Sequence, residues 1–597
     1  MQLKNNELKV HGLTQDTVTN EHMLVFEHFR SKRDEGYGIC ANCNRYNTSE
    51  AWCQACDPLK TIHGWTSGNK DVDDCIKEFQ LKATSFDDVI EWIPFNKLDN
   101  FQKIGCRFFV TWLDGIRYTE KYVNENYEDE YKQSRTPSCV VELKILASSP
   151  NLLDTLKEFM QLKNNELKVH GLTQDTVTNE YMLVFEHFRS ERDEDYGICA
   201  NCNRYNTSEA WCQARDPLKT IQGWTSGNKD VDDCIKEFQL KATSFEDLIE
   251  WIPFNRLDNV QKIGEGGFGS VFSATWLDGK RTIYYEGKYT QSRTPSCVVA
   301  LKTLPGSEKN FLKEFKSYMQ FRLVGSNLEV YGITQNTTNN EYLMVFQYAN
   351  KGSLHKFLLS NIRQLNWKSK LKQLVDISAN LFKLHKAEYI HGDFHSGNIL
   401  QNQYINGDLI SYIADLGLSR KKDESDLDDS IYGVLPYVAP EVLTERSYTL
   451  SSDIYSFGII MTEVSTGKPP HYKVEYDEIL AIKICNGLRP EFANGTPDCY
   501  IQLANKCMDA NPSNRPNASD IHKNLSEWYK IVVRNFAKNK NELTILNAFK
   551  TADEIIPTLS TELPNYSKDK LTSKLLNFKN LSGPINSLSA ELSKICG

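Results

Sequence analysis

The chain has 597 residues, 40% hydrophobic and 25% charged, so it can fold but is too long for a single hydrophobic core. Its net charge of -9 gives no basic face of the kind that nucleic-acid binding requires, so we expect no nucleic-acid partner. There is no run of about eighteen apolar residues and no secretory leader, which predicts no transmembrane segment and a soluble, cytoplasmic protein.

The chain opens inside a long repeat. The stretch MQLKNNELKVHGLTQDTVTNE begins at Met1 and again at Met160, and near-identity continues to Gly105 and Gly264. A fainter third copy lies at 319–346. Two long copies followed by a unique region indicate a partial tandem duplication, because solenoids stack several short units instead.

Four cysteines follow the first repeat start. The stretch CANCNRYNTSEAWCQAC contains two Cys-x-x-Cys pairs, at Cys40, Cys43, Cys53 and Cys56. In a reducing compartment such a group favours a metal over disulfides, and four thiolates suit tetrahedral zinc. The intervening loop is shorter than the usual zinc-ribbon spacing, so ordinary buried or free thiols stay open as the alternative.

The second cysteine group is incomplete. It keeps Cys199, Cys202 and Cys212 but has Arg215 in the fourth place. This copy would therefore need another ligand or stay without metal.

The two repeats differ most at a glycine-rich stretch. Residues 99–115 read DNFQKIGCRFFVTWLDG, whereas residues 258–279 read DNVQKIGEGGFGSVFSATWLDG. Because glycine has no Cβ, a glycine-rich turn between two strands can approach a phosphate chain and present backbone N–H groups to it. The later copy therefore predicts a phosphate-binding loop, which the earlier copy has lost.

An ion pair is expected next. Lys302 lies in VVALKTL, a β-branched apolar run that predicts a buried strand. Glu314 lies in FLKEFKSYMQF, whose spacing predicts a helix. A lysine in this setting can hold phosphates, and Glu314 is its candidate partner.

Short loops farther along carry oxygen ligands. YIHGDFHSGNIL contains Asp393 and Asn398, and YIADLGLSR contains Asp415. Carboxylate and amide oxygens are the ligands that Mg²⁺ prefers, and one acid remains to orient a substrate hydroxyl. Later motifs hold Glu441 in VAPE, Asp453 in SSDIYSFG and Arg515 in NPSNRPNASDI.

In this order, the motifs resemble those of eukaryotic protein kinases over residues 256–532. The loop H-x-D-x-H-x-G-N resembles that of the tyrosine-kinase-like group, as expanded in fungi and amoebae. The first cysteine segment and the following WTSGNKDVDDCIKEFQLKATSFDDVIEWIPFNKLDN resemble the module that precedes kinase domains in arbuscular-mycorrhizal fungal kinases. The resemblance implies an α+β, bilobal protein kinase fold with a β-rich N-lobe and an α-helical C-lobe, preceded by partially duplicated N-lobe and Cys-rich segments. It also implies the use of ATP and Mg²⁺.

The resemblance divides the chain into six parts. They are an N-lobe-like fragment (1–30), the first Cys-rich module (36–96), a degenerate partial N-lobe (98–188), the second Cys-rich module (195–255), the kinase domain (256–532) and a polar C-terminal tail (533–597). In the tail we expect a short helix near 541–555, with the rest disordered or docked elsewhere as a peptide.

Site roles also follow from the resemblance. The phosphates would lie under Ile263, Gly264, Glu265, Gly266, Gly267, Phe268, Gly269, Ser270 and Val271. The adenine would lie between Val271, Ala300 and Leu400, beside the gatekeeper Phe346 and the hinge residues Gln347, Tyr348 and Ala349.

The remaining roles are catalytic and structural. Asp393 would orient the substrate hydroxyl, Lys302 paired with Glu314 would contact phosphates, and Asn398 and Asp415 would hold Mg²⁺. Glu441 and Arg515 would form a structural ion pair, and Asp453 would brace the catalytic loop.

The sequence departs from the family pattern at three places. His391-Gly392-Asp393 lacks the usual arginine, which predicts weaker dependence on activation-loop phosphorylation. Asp415-Leu416-Gly417 replaces Asp-Phe-Gly, an apolar change that should keep the metal ligand. His395 stands where Ser/Thr kinases usually have lysine, which leaves the choice of acceptor hydroxyl open. Because the His395 pattern is a trait of the tyrosine-kinase-like group and the A-A-R-N of tyrosine kinases is absent, we expect serine or threonine as acceptor, with tyrosine as a further one. Two interpretations of the activation segment stay open. It is either a solvated loop or a site of regulatory phosphorylation at Ser425, Ser430 or Tyr432.

The first copy has half a site. It keeps Lys144 and Glu158 but has Glu142 in place of Ala300, and neither H-x-D nor D-x-G follows before the second cysteine module. We therefore expect it not to bind ATP usefully, and it would be a docking surface or an inert remnant.

Two functions follow from these observations. The first is an ATP-dependent protein kinase in intracellular signalling, with unknown protein substrates. The alternative is a pseudokinase scaffold that binds partners through its duplicated N-terminal modules. The intact set Lys302, Asp393, Asn398 and Asp415 favours the enzyme.

Overall fold

The computed structural model divides the chain into two compact units. The first comprises residues 1–247 and 283–291, and the second comprises residues 248–282 and 292–597. The structure describes the chain apart from residues 1–9, 16, 18–19, 27–31, 105–106, 124–128, 138, 147–167, 187–191, 202, 204, 214, 267–268, 304–307, 324–327, 422–430, 563–571, 579–580, 582 and 587–597.

The first unit contains ten strands and four α-helices among its described residues. In chain order they are β1 (Val10–Gln15), β2 (His22–Phe26), α1 (Asp57–Thr61), α2 (Lys70–Lys82), β3 (Glu91–Trp92), β4 (Leu98–Ile104), β5 (Arg107–Trp112), β6 (Ile116–Val123), β7 (Asp129–Thr136), β8 (Cys139–Ile145), β9 (Val169–Gln174), β10 (Tyr181–Glu186), α3 (Asp216–Thr220) and α4 (Lys229–Lys241).

The second unit begins with a β-rich half. Its elements are β11 (Glu250–Trp251), β12 (Leu257–Gly266), β13 (Gly269–Trp276), β14 (Lys280–Tyr285), β15 (Tyr289–Thr294), β16 (Cys297–Thr303), α5 (Glu308–Leu323), β17 (Val330–Gln335) and β18 (Tyr342–Gln347). Strands β14 and β15 pair with each other, and their residues are divided between the two units.

The rest of the second unit is mostly helical. Its elements are α6 (Leu354–Asn361), α7 (Trp367–Lys386), β19 (Tyr389–Ile390), β20 (Ile399–Gln403), β21 (Leu409–Ile413), β22 (Arg420–Lys421), β23 (Ile431–Gly433), α8 (Pro440–Glu445), α9 (Leu450–Thr466), α10 (Glu478–Cys485), α11 (Asp498–Cys507), α12 (Ala518–Arg534), α13 (Lys540–Ile555) and β24 (Lys574–Leu576). The expected α+β architecture with a β-sheet N-lobe and a helical C-lobe is confirmed.

Each unit contains a six-stranded sheet, and the two sheets have the same topology. The strand order is β3-β9-β10-β8-β5-β4 in the first unit and β11-β17-β18-β16-β13-β12 in the second. In both, a two-residue strand joins the edge in parallel and the other pairings are antiparallel. The repeat in the sequence is thus a repeat of an N-lobe sheet.

The first described residues of the chain form a hairpin that also occurs in both sheets, as β9-β10 and as β17-β18. Strand β1 pairs with β2 in the register Gln15↔His22, as β9 and β10 pair at Gln174↔Tyr181. The fainter third copy, β17 and β18, pairs at Gln335↔Tyr342. The similar sequences therefore specify one hairpin three times.

A buried helix organises the C-lobe. Helix α9 is buried along its length from Ser452 to Ser465, as its apolar composition dictates. Its first turn is closed by a capping box, in which the Thr449 side chain accepts from the Ser452 N–H, and it ends at Gly467 in the left-handed conformation. This fixed N-terminus holds Asp453 under the catalytic loop.

The C-terminal tail is partly ordered against the C-lobe. Helix α13 lies close to the predicted 541–555 and packs Phe549 against Trp367, with ring centroids 5.4 Å apart. Farther on, β24 pairs antiparallel with β23 of the activation segment. Among the residues that the structure describes, no helix is both long and apolar enough to cross a membrane.

Candidate active site

A buried lysine lies at the centre of the site. Strand β16 carries Lys302, whose Nζ is 2.8 Å from Glu314 Oε1 of α5 and 2.7 Å from Asp415 Oδ1. The Lys302 side chain is 12% exposed. Burial opposes its charged form, but Tyr318 and the two carboxylates hold the pKa of Lys302 well above its usual value. The side chain is therefore a fixed cation, which suits the binding of a phosphate chain.

The loop that carries Asp415 is held by a tyrosine. Tyr318 Oη accepts hydrogen bonds from the backbone N–H of Asp415 at 2.8 Å and of Leu416 at 3.3 Å. Tyr318 lies four residues after Glu314, which places both on the same face of α5. Sequence reasoning missed Tyr318, although the i, i+4 spacing from Glu314 was a signal that could have found it.

The catalytic loop places Asp393 among three polar groups. The Asn398 amide donates to the Asp393 backbone carbonyl at 3.0 Å and to its Oδ2 at 3.2 Å. Ser573 of the tail donates its hydroxyl hydrogen to the same Oδ2 at 2.5 Å, and His395 Nε2 lies 3.7 Å away. Burial opposes ionisation, but His395 and the Ser573 hydroxyl lower the pKa of Asp393 below its usual value. Asp393 is thus an ionised carboxylate that accepts a hydrogen bond from a hydroxyl group.

Two histidines shape this loop. Burial lowers the pKa of His391, which stays neutral. Its Nδ1 accepts from the Asp393 N–H at 3.3 Å, so its Nε2 donates to the Ala414 carbonyl at 3.1 Å. His395 Nδ1 accepts from the Gly397 N–H at 3.1 Å, which leaves its Nε2 facing Asp393.

Gly392 stands where the family pattern has an arginine, and it adopts a left-handed conformation. Its φ is +77°, and a Cβ there would lie 3.1 Å from the Leu418 carbonyl oxygen. An arginine would be strained at this position.

Of the candidate phosphosites, Ser425 and Ser430 lie outside the described residues. The backbone carbonyl of Tyr432 accepts a hydrogen bond from the Tyr448 hydroxyl at 2.5 Å.

Asp453 braces the loop from α9. Its Oδ2 accepts from the His391 N–H at 2.8 Å and its Oδ1 from the Gly392 N–H at 3.1 Å. Glu441 and Arg515, which were expected to form a structural ion pair, also lie in contact. The two terminal nitrogens of Arg515 lie 2.6 and 2.7 Å from the Glu441 oxygens, in a buried bidentate pair.

The glycine-rich loop is formed by β12 and β13. They pair from Leu257↔Trp276 to Gly266↔Gly269, so Gly264 lies opposite Val271 and Glu265 opposite Ser270. Gly269 has φ +130°, and a Cβ there would lie 2.2 Å from the Thr303 carbonyl oxygen. Only glycine fits this close approach of backbones. Ile263 is exposed, and Gly267 and Phe268 lie outside the described residues.

The predicted adenine-binding residues come from neighbouring strands. Ala300 lies opposite Phe346 in the pairing of β16 with β18, and Phe346 is buried against the Tyr318 ring. Gln347 ends β18, and Tyr348 and Ala349 continue into the link to α6. Leu400 lies in β20 and forms a bridge with Ser353. Val271 and Ala300 come from paired strands, with Leu400 on the C-lobe strand β20.

The residues present fit MgATP. The Asn398 amide nitrogen points at Asp393, so its Oδ1 faces the other way as an acceptor. Asp415 binds Lys302 through Oδ1 and retains a second carboxylate oxygen. One carboxylate and one amide oxygen beside a fixed lysine are suited to a hydrated Mg²⁺ bound to phosphates. When bound, MgATP supplies the transferable phosphoryl group.

The first sheet differs at the equivalent positions. Lys144 of β8 is exposed, whereas the side chain of Lys302 of β16 is only 12% exposed and lies beside two carboxylates. Glu142 is buried and pairs across the strands with Phe109, so the two side chains share a face. On this face Phe109 and Val140 pack against Ile221 and Leu240 of the second cysteine module. Protein therefore covers part of this face, at Phe109 and Val140, whereas Lys144 on the same face stays exposed. Glu158 lies outside the described residues.

The four cysteines of the first module converge. The sulfur atoms of Cys40, Cys43, Cys53 and Cys56 all lie within 4.8 Å of one another, which suits one tetrahedral ion. In the second module Cys199 and Cys212 are buried, Arg215 replaces the fourth cysteine, and Cys202 lies outside the described residues.

Comparisons with known proteins agree with this geometry. Residues 257–525 match the family of protein tyrosine and serine/threonine kinases. Over 263 residues, 43% of this chain, 28% are identical to the probable serine/threonine-protein kinase drkA of Dictyostelium discoideum. Over 288 residues, 47% of the chain, 25% are identical to the serine/threonine-protein kinase STY17 of Arabidopsis thaliana. Over 295 residues, 48% of the chain, 27% are identical to the tyrosine protein-kinase src-1 of Caenorhabditis elegans.

These matches are partial on both sides. They cover 37% of drkA, 46% of STY17 and 51% of src-1, so the chain spans about half or less of these relatives. All three matches are to protein kinases. With the buried lysine, the paired carboxylates and the catalytic loop in place, residues 257–525 are a eukaryotic protein kinase domain.

Proposed function

We propose that the chain is an ATP-dependent protein kinase that transfers the γ-phosphoryl of MgATP to serine or threonine hydroxyls of proteins, with tyrosine as a further acceptor. The observation that carries the proposal is the contact of Lys302 Nζ with both Glu314 and Asp415, 2.8 and 2.7 Å away. This arrangement brings the N-lobe cation and the candidate metal ligand to one point.

Each residue of the site has a separate task. Lys302 binds phosphate oxygens and stabilises the charge that develops during transfer, while Glu314 holds it in place. Asn398 and Asp415 hold Mg²⁺, and Tyr318 fixes the backbone at Asp415. Asp393 orients the acceptor hydroxyl and takes its proton, and His395 lies beside both.

The pseudokinase alternative is disfavoured by this set. A scaffold needs none of these groups, yet Lys302, Asp393, Asn398 and Asp415 are all retained and lie in one site. The first sheet, in contrast, has Glu142 buried on the corresponding face. We infer that the first copy does not bind ATP and that the six-part division of the chain reflects one working kinase domain behind duplicated modules.

Three finer assignments stay predictions. Zinc at Cys40, Cys43, Cys53 and Cys56 rests on their convergence. A cytoplasmic location rests on the cysteine content of the sequence, which is about what a long cytosolic chain carries. The tyrosine-kinase-like character rests on the loop around Asp393 and His395, and the relation to kinases of arbuscular-mycorrhizal fungi rests on the first cysteine segment and the stretch that follows it.

Asp393→Asn tests the enzymatic function. The full chain and its variant are incubated with γ-labelled MgATP and a library of Ser-, Thr- and Tyr-containing peptides. Because the amide cannot take the hydroxyl proton, we expect incorporation to fall by about 10²-fold or more, in line with the loss of a positioned base. The same change at an exposed position, Asp408→Asn in the β20–β21 turn, is the matched control and should leave incorporation unchanged. Equal incorporation by the Asp393 variant and the wild type would remove the enzyme function.

A further inference from the structure

The tail occupies the space in front of the catalytic carboxylate. Strand β24 pairs antiparallel with β23 in the register Ile431↔Leu576, Tyr432↔Leu575 and Gly433↔Lys574. β23 belongs to the activation segment that leads to the Val438-Ala439-Pro440-Glu441 motif. A strand added to this edge lies where an extended substrate segment can pair by main-chain hydrogen bonds.

The pairing places one hydroxyl at the reacting position. Ser573 precedes β24, and its Oγ donates to Asp393 Oδ2 at 2.5 Å. The same Oγ lies 3.5 Å from His395 Nε2. A general base must lie within hydrogen-bond reach of the hydroxyl whose proton it takes, at most about 3.2 Å away, and Ser573 lies within this reach. Its hydroxyl therefore stands in the place of an acceptor hydroxyl.

A second contact holds the tail farther along. The Ile585 N–H donates to the Cys485 carbonyl at 2.9 Å. The Asn586 side chain accepts from the Ala510 N–H at 2.8 Å and donates to Asp509 Oδ1 at 3.2 Å. The chain is thus anchored to the C-lobe on both sides of residues 579–580 and 582, so the approach of Ser573 does not rest on one hydrogen bond.

We propose that Ser573 is an intramolecular phosphoacceptor of this kinase, and that residues 572–578 block the acceptor groove until Ser573 is phosphorylated. This inference rests on the proposed kinase function. In the transfer, a bond forms between Ser573 Oγ and the γ-phosphorus of ATP while the bond from that phosphorus to the β–γ bridging oxygen breaks. The hydroxyl proton goes to Asp393, and ADP leaves with the bridging oxygen.

The product no longer fits the groove. Phosphoserine carries about two negative charges at neutral pH and would lie beside the carboxylates of Asp393 and Asp415. The hydroxyl hydrogen that bonds Asp393 is also gone. Repulsion and the lost hydrogen bond release the tail, so one self-phosphorylation opens the groove to other proteins.

The test uses the full chain with γ-labelled MgATP, an exogenous Ser/Thr peptide and mapping of phosphate by mass spectrometry. We expect label on Ser573 with a half-time unchanged over about hundredfold dilution, because an intramolecular acceptor has a fixed effective concentration. Full-length Asp393→Asn chain mixed with active chain should gain less than about a tenth of that label at Ser573. Thr572→Ala is the matched control, since side chains alternate along an extended segment, and it should leave labelling at Ser573 intact.

A measurement without nucleotide tests the docking separately. Hydrogen exchange of amides 572–578 should be at least about tenfold faster in Ser573→Glu, because a carboxylate beside Asp393 is repelled. The double change Leu575→Pro, Leu576→Pro should do the same, since one of two successive N–H groups points at β23. We also expect a lag in peptide phosphorylation by the wild type, lasting until Ser573 is labelled, and Ser573→Glu should remove this lag.

The outcomes are distinguishable. Peptide phosphorylation without label on Ser573, a concentration-dependent half-time, or equally fast exchange of 572–578 in all chains would overturn the inference while leaving the kinase function standing. Absence of label on both peptide and Ser573 would overturn the kinase function and this inference with it.

Discussion

At the scale of single residues, Tyr318 is the part of the site that the sequence motifs do not identify. It holds the backbone of the loop that carries Asp415. Its hydroxyl accepts from two successive backbone N–H groups, of Asp415 and Leu416, and its ring is buried beside Phe346. The candidate metal ligand therefore depends on a side chain outside the predicted set of nucleotide- and metal-binding residues. Tyr318 is a positioning residue.

Tyr318→Phe should lower kcat by between about tenfold and a hundredfold, because a small displacement of a reacting group has effects of this size. It leaves two buried donors without an acceptor, and Asp415 shifts. The value of KM for Mg²⁺ should rise as well, a change that a general loss of stability would not cause. Tyr331→Phe, which removes a hydroxyl bonded to Glu329 instead, is the matched control. Unchanged kcat and Mg²⁺ dependence in Tyr318→Phe would contradict this role.

At the scale of elements, the positions of the candidate catalytic residues in strands, helices and loops could be predicted because each lies in a local pattern. Lys302 sits in an apolar strand and Glu314 in a helix of clear periodicity, and both patterns are set by neighbours in the chain. The loops of Asp393 and Asp415 follow short strands for the same reason. These positions needed no knowledge of the tertiary structure.

Tyr318 and β24 could not be predicted in this way. The role of Tyr318 depends on a loop about a hundred residues later that approaches α5 only in the folded domain. β24 is three residues long and largely exposed, so it has no burial pattern of its own. It is a strand because β23 supplies its partner, and pairing across the chain overrides a weak local preference.

The two cysteine loops make a matched pair of elements. The first has four converging thiols, and the second has Arg215 in the fourth place. Elemental analysis should find about one zinc per full-length chain, because only the first loop has all four thiols of a tetrahedral site. Cys53→Ser should remove this zinc, whereas the equivalent change Cys212→Ser should leave it in place.

The zinc proposal fails under two results. Less than about half a zinc per wild-type chain would show that the first cluster holds ordinary thiols. Equal zinc loss in Cys53→Ser and Cys212→Ser would show that the first loop is not the site.

At the scale of the whole molecule, the chain contains one sheet topology twice and uses the two copies differently. In the second unit the face that carries Ala300 and Lys302 belongs to the active site. In the first unit Phe109 and Val140, on the equivalent face, pack against the second cysteine module. The same sheet thus has its equivalent face partly covered by a packed module in the first copy.

The central claim is that the chemistry resides in residues 257–525 alone. The most direct test compares two variants, Lys302→Met and the equivalent change Lys144→Met. Both remove an ammonium from the same strand position of the two sheets, one buried and one exposed. With γ-labelled MgATP and an exogenous peptide, Lys302→Met should lose about 10²-fold or more of the phosphate incorporation, because phosphate binding and charge stabilisation are lost. Lys144→Met should match the wild type. Retained activity in Lys302→Met, or an equal loss in Lys144→Met, would contradict the account.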